Sequence, residues 1–168
     1  MKNSNKKTLK RQLNDAWIEN QKHLKGNTIG VGGPVFDVNE IYAVMECMLE
    51  LKLSQGEKTL QFEKCFAKYI DTRFGVAVNS GSSANLLALS TLLEAGDIQK
   101  GDEVILPAAT FPTVSSPIYQ LGLIPTYVDV SAKTFCIDPR QIKKALSPKT
   151  KVIIPVHTLG FACDMDEI

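Results

Sequence analysis

Asn79 to Ala88, N-S-G-S-S-A-N-L-L-A, is the stretch whose reading decides the fold. It follows a β-rich run, Phe74-Gly75-Val76-Ala77-Val78, and opens a segment in which Leu86, Leu87, Leu89, Leu92 and Leu93 recur at helical spacing. The pattern predicts a strand, a turn and a helix N-terminus, with Gly81 available for a backbone angle that other residues resist. Ser80, Ser82 and Ser83 are each capable N-caps, and one cap suffices for one helix. The remaining hydroxyls lie beside unpaired N–H groups and the positive end of the helix dipole, where a phosphate is held. Two readings stand side by side: Ser82 or Ser83 caps the helix and nothing binds, or the turn holds a phosphate-bearing ligand. This turn carries neither G-x-G-x-x-G nor G-x-x-x-x-G-K-[ST].

Upstream, the lysine-rich first dozen residues read as a basic, solvated arm that becomes helical between about Leu9 and Leu24, so residues 1–25 form an arm and helix ahead of the main body at 26–168. Gly26 to Pro34, with four glycines, is a linker or a loop passing close to something. Asp37 and Glu40 form a D-x-x-E capping box ahead of an apolar stripe through Val38, Ile41, Met45 and Met48, which predicts a surface helix to about Leu51. After Gly56 a second amphipathic helix follows, with Leu60, Phe62, Phe66, Tyr69 and Ile70 on or near one face; these aromatics read as core or subunit contacts.

Downstream, Glu103 to Leu106 reads as a strand stopped by Pro107, and Thr113 to Leu121 as a short helix ended by Gly122. Phe111 therefore falls in a strand-to-helix loop, the position where open α/β sheets bind ligands, or else it plugs the core. Ile124 to Val130 is the next strand. Asp138, Pro139 and Gln141 supply an N-cap, an N1 proline and an N3 glutamine for a helix to about Leu146. Lys151 to Val156 is a further strand, followed by His157, which is either an acid or base or a holder of its loop through a backbone hydrogen bond. Asp164 and Glu167 form a last D-x-x-E box, predicting a helix whose body continues past Ile168 and hence a longer protein. Strands alternating with helices predict an α/β fold, with a mostly parallel sheet flanked by helices.

The 168 residues, 44% of them hydrophobic, suffice for one substantial core, and the formal charge of +1 argues against a nucleic-acid partner. Cys47, Cys65, Cys136 and Cys163 contain no C-x-x-C pair, so neither a disulfide framework nor a closed zinc site is expected, and no metal-ligand motif stands out. Nothing marks Cys163 as a nucleophile rather than a small buried residue. No stretch has the run of about 18 apolar residues that a membrane span needs. Met1 to Gln12 lacks the apolar centre of a signal peptide, so a cytoplasmic location is expected.

Gly26 to Gly56, the segments at 79–90, 101–111 (G-D-E-V-I-L-P-A-A-T-F), 122–130 (G-L-I-P-T-Y-V-D-V) and 137–139, and S-P-K-T-K-V-I-I-P-V-H-T-L-G-F-A-C-D-M-D-E-I at 147–168 together resemble the start of the DegT/DnrJ/EryC1/StrS family of pyridoxal-phosphate sugar aminotransferases and related 3-dehydratases. The resemblance implies the N-terminal part of an aspartate-aminotransferase-like large domain. It also implies pyridoxal 5'-phosphate as cofactor, with Gly81, Ser82 and Ser83 holding its phosphate, Phe111 stacking on its ring and His157 on the substrate side. The family's Schiff-base lysine falls beyond Ile168, so this segment alone is expected to be inactive. A nucleotide-linked keto-sugar, an amino donor such as glutamate and a homodimer are the implied partners. The Gly81 to Leu86 turn and His157 to Gly160 also resemble members that dehydrate CDP-linked 4-keto-6-deoxysugars. Aminotransferase is the broader expectation, with that dehydratase and a stand-alone phosphate-binding α/β module as alternatives.

Overall fold

Three consecutive apolar residues, Val104, Ile105 and Leu106, are completely buried, and this single fact organises the second half of the chain. Side chains alternate across a strand, so a run with no polar member needs cover on both faces. The computed structural model describes residues 3–24 and 35–168. It divides into two compact units, Met1–Ala77 and Val78–Ile168.

In the second unit, β1 (Glu103–Pro107) is the middle strand of a three-stranded parallel sheet of order β2-β1-β3, with β2 at Ile124–Val128 and β3 at Thr150–Ile153. Val104 and Leu106 point into one core with Leu89, Val114, Ile118 and Leu123. Ile105 points into the other, with Val128, Ile137, Ile142 and the thiols of Cys136 and Cys163. The first core is roofed by α4 (Gly81–Ala95) and α5 (Pro112–Gln120), the second by α6 (Pro139–Ala145). The chain moves from β1 to one neighbour through α5 and then back across β1 through α6. Crossovers of constant right hand place two such helices on opposite faces. The expected parallel α/β fold is what the chain adopts.

Local sequence explains the ends of these elements. Gly96 and Gly122, at φ 80° and 73°, terminate α4 and α5 in the left-handed conformation. Asp138 accepts the Arg140 N–H at 2.9 Å and also pairs with the Arg140 guanidinium at 2.9 Å. The Arg140 side chain, then its N–H, hold the Asp138 carboxyl below its ordinary range. This cap therefore contributes stability above the usual carboxylate pKa and loses it as pH falls through the lowered value.

The first unit contains α1 (Asn3–Leu24), α2 (Val38–Leu49) and α3 (Glu57–Tyr69). The predicted capping box is present, with Asp37 Oδ1 accepting from Asn39 N–H at 2.6 Å and Glu40 Oε2 accepting from Asp37 N–H at 2.8 Å. Lys6 pairs with Glu46, linking α1 to α2. The α3 aromatics are more exposed than a core role allows: Phe62, Phe66 and Tyr69 form a surface row in which the Phe62 and Phe66 ring centroids lie 5.7 Å apart. Residues 25–34, which include the whole of the glycine-rich segment Gly26 to Pro34, lie outside the described residues.

Several expectations are corrected. Helix α1 starts at Asn3 rather than near Leu9, because the lysines and asparagines of the arm contain no breaker. Phe74 to Val78 is not a strand. It forms no ladder among the described residues, and Ala77 N–H instead donates to Glu63 Oε1 of α3 at 2.9 Å. Gly75 crosses so close to α3 that an added Cβ would sit 2.8 Å from the Glu63 carbonyl oxygen. β3 ends at Ile153, although Ile154 N–H still donates to the Ile105 carbonyl at 2.8 Å; Pro155 next in line has no N–H to give. At the end of the described residues, 165–167 form a turn after Asp164, the place where the sequence predicts the first turn of a helix.

Leu106→Ala should cost about 2–5 kcal/mol through lost transfer energy and a cavity between β1 and α5, whereas Ile124→Thr, on the exposed edge of β2, should change stability far less. Urea unfolding midpoints check the contrast.

Candidate functional site

Helix α4 begins with Gly81, and its N-cap is Ser80. Ser80 Oγ accepts the Ser83 N–H at 3.2 Å and also hydrogen-bonds Ser83 Oγ at 3.2 Å. The expectation that Ser82 or Ser83 caps the helix is therefore corrected: Ser80 is the residue with extended backbone, which is what an N-cap requires. The correction frees Ser82. Its hydroxyl and its N–H, together with the N–H of Gly81, have no hydrogen-bond partner among the described residues. Gly81 does not use the freedom expected of it. It is the first helical residue, its φ is not positive, and an added Cβ would meet no atom within 4 Å.

The α4 terminus is joined to the loop after β1. Asn85, one turn into α4, donates through Nδ2 to the Thr113 carbonyl at 3.2 Å, in the first turn of α5. Sequence reading assigned Asn85 no role, yet asparagine is a poor helix-interior residue, and that mismatch was the available signal. Between the two helices runs a groove of about 270 Å³ lined by Ser82, Ser83, Leu86, Thr113, Ser116 and Gln120, among others. Phe111 is the N-cap residue of α5 and is 72% exposed, so it is not a plug over the core. Beside it, the Thr110 hydroxyl oxygen is buried with no hydrogen-bond partner among the described residues.

His157 lies beyond the carboxyl end of β3, and the loop holding Phe111 leaves the carboxyl end of the adjacent parallel strand β1. That common edge is where open α/β sheets bind ligands. The His157 loop is closely tied down. His157 Nδ1 accepts the Cys163 N–H at 2.9 Å, Cys163 Sγ donates to the Val156 carbonyl at 3.2 Å, Cys136 Sγ donates to the Phe161 carbonyl at 3.3 Å, and Thr158 Oγ1 donates to the Phe135 carbonyl at 3.1 Å. The Thr158 N–H beside it lowers the Cys136 thiol pKa, whereas burial raises that of Cys163. Among the described residues no three His, Cys, Asp or Glu side chains gather to hold a metal. A larger concavity, about 510 Å³ beside α3, contains none of the sequence-derived site residues.

The donor set suits a phosphate monoester carried on a planar ring: two open main-chain N–H groups, a free hydroxyl, the positive end of a four-turn helix and an exposed aromatic face. The sequence pattern of the DegT/DnrJ/EryC1/StrS aminotransferase family matches residues 34–168. The chain belongs to this family. One relative, dTDP-4-dehydro-2,6-dideoxy-D-glucose 3-dehydratase of Saccharopolyspora spinosa, is 41% identical over 155 residues, 89% of this chain and 34% of its own length. Another, 3-oxo-glucose-6-phosphate:glutamate aminotransferase of Bacillus subtilis, is 36% identical over 77% of this chain and 30% of its own. Among solved structures, the E. coli GDP-4-keto-6-deoxy-D-mannose-3-dehydratase with bound hydrated PLP superposes with a TM-score of 0.77 at 34% identity, covering 83% of this chain and 36% of that one. The DegT/DnrJ/EryC1/StrS family is dependent on pyridoxal phosphate, and this member spans about a third of the length of the curated relatives it matches. No helix among the described residues is long and apolar enough to cross a membrane.

Ser80 and Ser82 should separate by experiment. Ser80→Ala removes the cap and should cost about 1 kcal/mol of stability. Ser82→Ala should leave stability within about 0.5 kcal/mol, because its hydroxyl bonds nothing among the described residues. Thermal or urea unfolding of the two variants gives the comparison.

Proposed function

We propose that the complete protein is a pyridoxal-phosphate-dependent aminotransferase that acts on a nucleotide-linked keto-sugar, with an amino donor such as glutamate, in amino- or deoxysugar and surface-polysaccharide biosynthesis. The observation that carries this reading is the open α4 terminus, with Ser82 free, at the same sheet edge as an exposed Phe111. The assignment of residues 26–168 to the start of the large domain belongs to the same proposal, as does a cytoplasmic homodimer. The apolar residues that α2 and α3 leave exposed, Val44, Met48, Phe62 and Phe66, agree with burial against further chain.

In this reading Gly81 and Ser82 donate main-chain N–H groups to the cofactor phosphate, and the Ser82 and Ser83 hydroxyls add to them. Gly81 keeps the approach clear of a side chain. Phe111 offers a ring face that orients the pyridine and excludes water from one side. Pyridoxal phosphate supplies an electron sink for bond breaking beside the carbon that bears nitrogen. Asn85 positions the serines relative to Phe111 by tying α4 to α5. His157 stands on the substrate side. The residue that anchors the cofactor covalently is assigned beyond Ile168.

A second reading, a PLP-dependent 3-dehydratase of a nucleotide-linked 4-keto-6-deoxysugar, is favoured by the 41% identity to the Saccharopolyspora spinosa dehydratase. The products separate the two. With glutamate and a nucleotide-linked keto-sugar, the complete protein should form 2-oxoglutarate and an amino sugar. Loss of water from C3 with no nitrogen retained in the sugar would establish the dehydratase instead.

Cofactor affinity tests the site directly. Replacing Ser82 and Ser83 together by alanine removes two donors to an anion and should raise the cofactor dissociation constant at least about tenfold. Phe111→Ala should weaken binding while Phe111→Tyr is mild, because stacking survives. Spectral titration gives these constants, and unchanged affinity in both the double serine variant and Phe111→Ala would overturn the assignment.

A further inference from the structure

The His157 ring nitrogen nearest the chain faces a group with only a proton to offer. A backbone N–H donates and never accepts, so the Cys163 N–H at 2.9 Å requires a lone pair on His157 Nδ1. A neutral imidazole has one donor nitrogen and one acceptor nitrogen, and with Nδ1 accepting, the proton resides on Nε2. The arrangement is built from several sides. Cys163 is itself fixed through Sγ to the Val156 carbonyl, the residue before His157. Cys136 and Thr158 fasten the rest of the loop at Phe161 and Phe135. Both sulfurs are buried in the core beneath β1, while the imidazole is exposed beyond the end of β3.

We infer that His157 serves the ligand site as a neutral hydrogen-bond donor through Nε2–H, its tautomer imposed by the Cys163 main chain, and that it is not a general base. The inference rests on the functional reading above for the identity of the site, and its ligand partner is an oxygen acceptor such as a sugar carbonyl or hydroxyl. A base needs an unprotonated nitrogen turned toward the substrate. Here the unprotonated nitrogen is turned inward and occupied.

The tautomer can be measured without any ligand. Long-range proton–nitrogen NMR of the full-length protein at pH 8, with His157→Gln used to assign the His157 signals, should show Nε2 protonated and Nδ1 unprotonated. The opposite tautomer would overturn the inference while leaving the cofactor assignment intact. Steady-state kinetics with glutamate and a nucleotide-linked keto-sugar supply the second arm. His157→Ala should raise the sugar KM about tenfold, the order expected for one lost hydrogen bond, with kcat within about threefold of the parent. His157→Gln, which keeps a side-chain N–H, should recover most of that loss. A fall in kcat of a hundredfold or more in both variants, with KM unchanged, would mean that His157 moves a proton and would overturn the donor assignment.

Discussion

The second unit depends on the burial of both faces of β1. Val104, Ile105 and Leu106 have no exposed surface, and each face of the strand needs its own layer of helix. That requirement places α5 and α6 on opposite sides of the sheet and makes β2 and β3 the flanking strands. Because β2 and β3 both run parallel to β1, the loops after all three strands leave the same carboxyl edge of the sheet.

The candidate site follows from this edge by few further interactions. The loop after β1 presents Phe111, and α5 returns from it along the sheet. Asn85 then ties the first turns of α4 to that helix with one hydrogen bond. The serine-rich terminus is left open because Ser80, one residue before the helix, supplies its cap. Ser82 bonds nothing among the described residues, so its hydroxyl and the two main-chain N–H groups at the positive end of the dipole stay open. The buried hydroxyl oxygen of Thr110, beside Phe111, is a further polar group left unsatisfied among the described residues.

On the other side of β1 the second core does different work. Its two cysteines are free thiols, and among the described residues they are not gathered with metal-ligating neighbours. They secure a short loop whose exposed histidine has its inward nitrogen already engaged. Of the two alternatives open for His157 in the sequence, a chemical group and a loop holder, the structure shows the second directly, with Nδ1 accepting the Cys163 N–H. Holding the loop is what dictates the face the imidazole offers.

Periodicity and end signals were sufficient for much of this. The Leu86 to Leu93 spacing, the Asp37-Glu40 box, Asp138 with Pro139, and Gly122 act over one or two turns, and short-range rules place such elements directly. The alternation of strands and helices gave the parallel α/β class, and the ordered motifs gave the family. Three matters were decided only in three dimensions. Phe74 to Val78 has strand composition but no ladder, since a strand is defined by a neighbour and here Glu63 takes its place. Which of three serines caps α4 depends on which backbone is extended, and composition does not encode that. The tautomer of His157 depends on a main-chain N–H six residues away, brought back by a turn with Leu159 and Gly160 at positive φ. Contacts within a turn are written in the sequence; contacts made by folding the chain back on itself arise from packing, and only the tertiary structure reveals them.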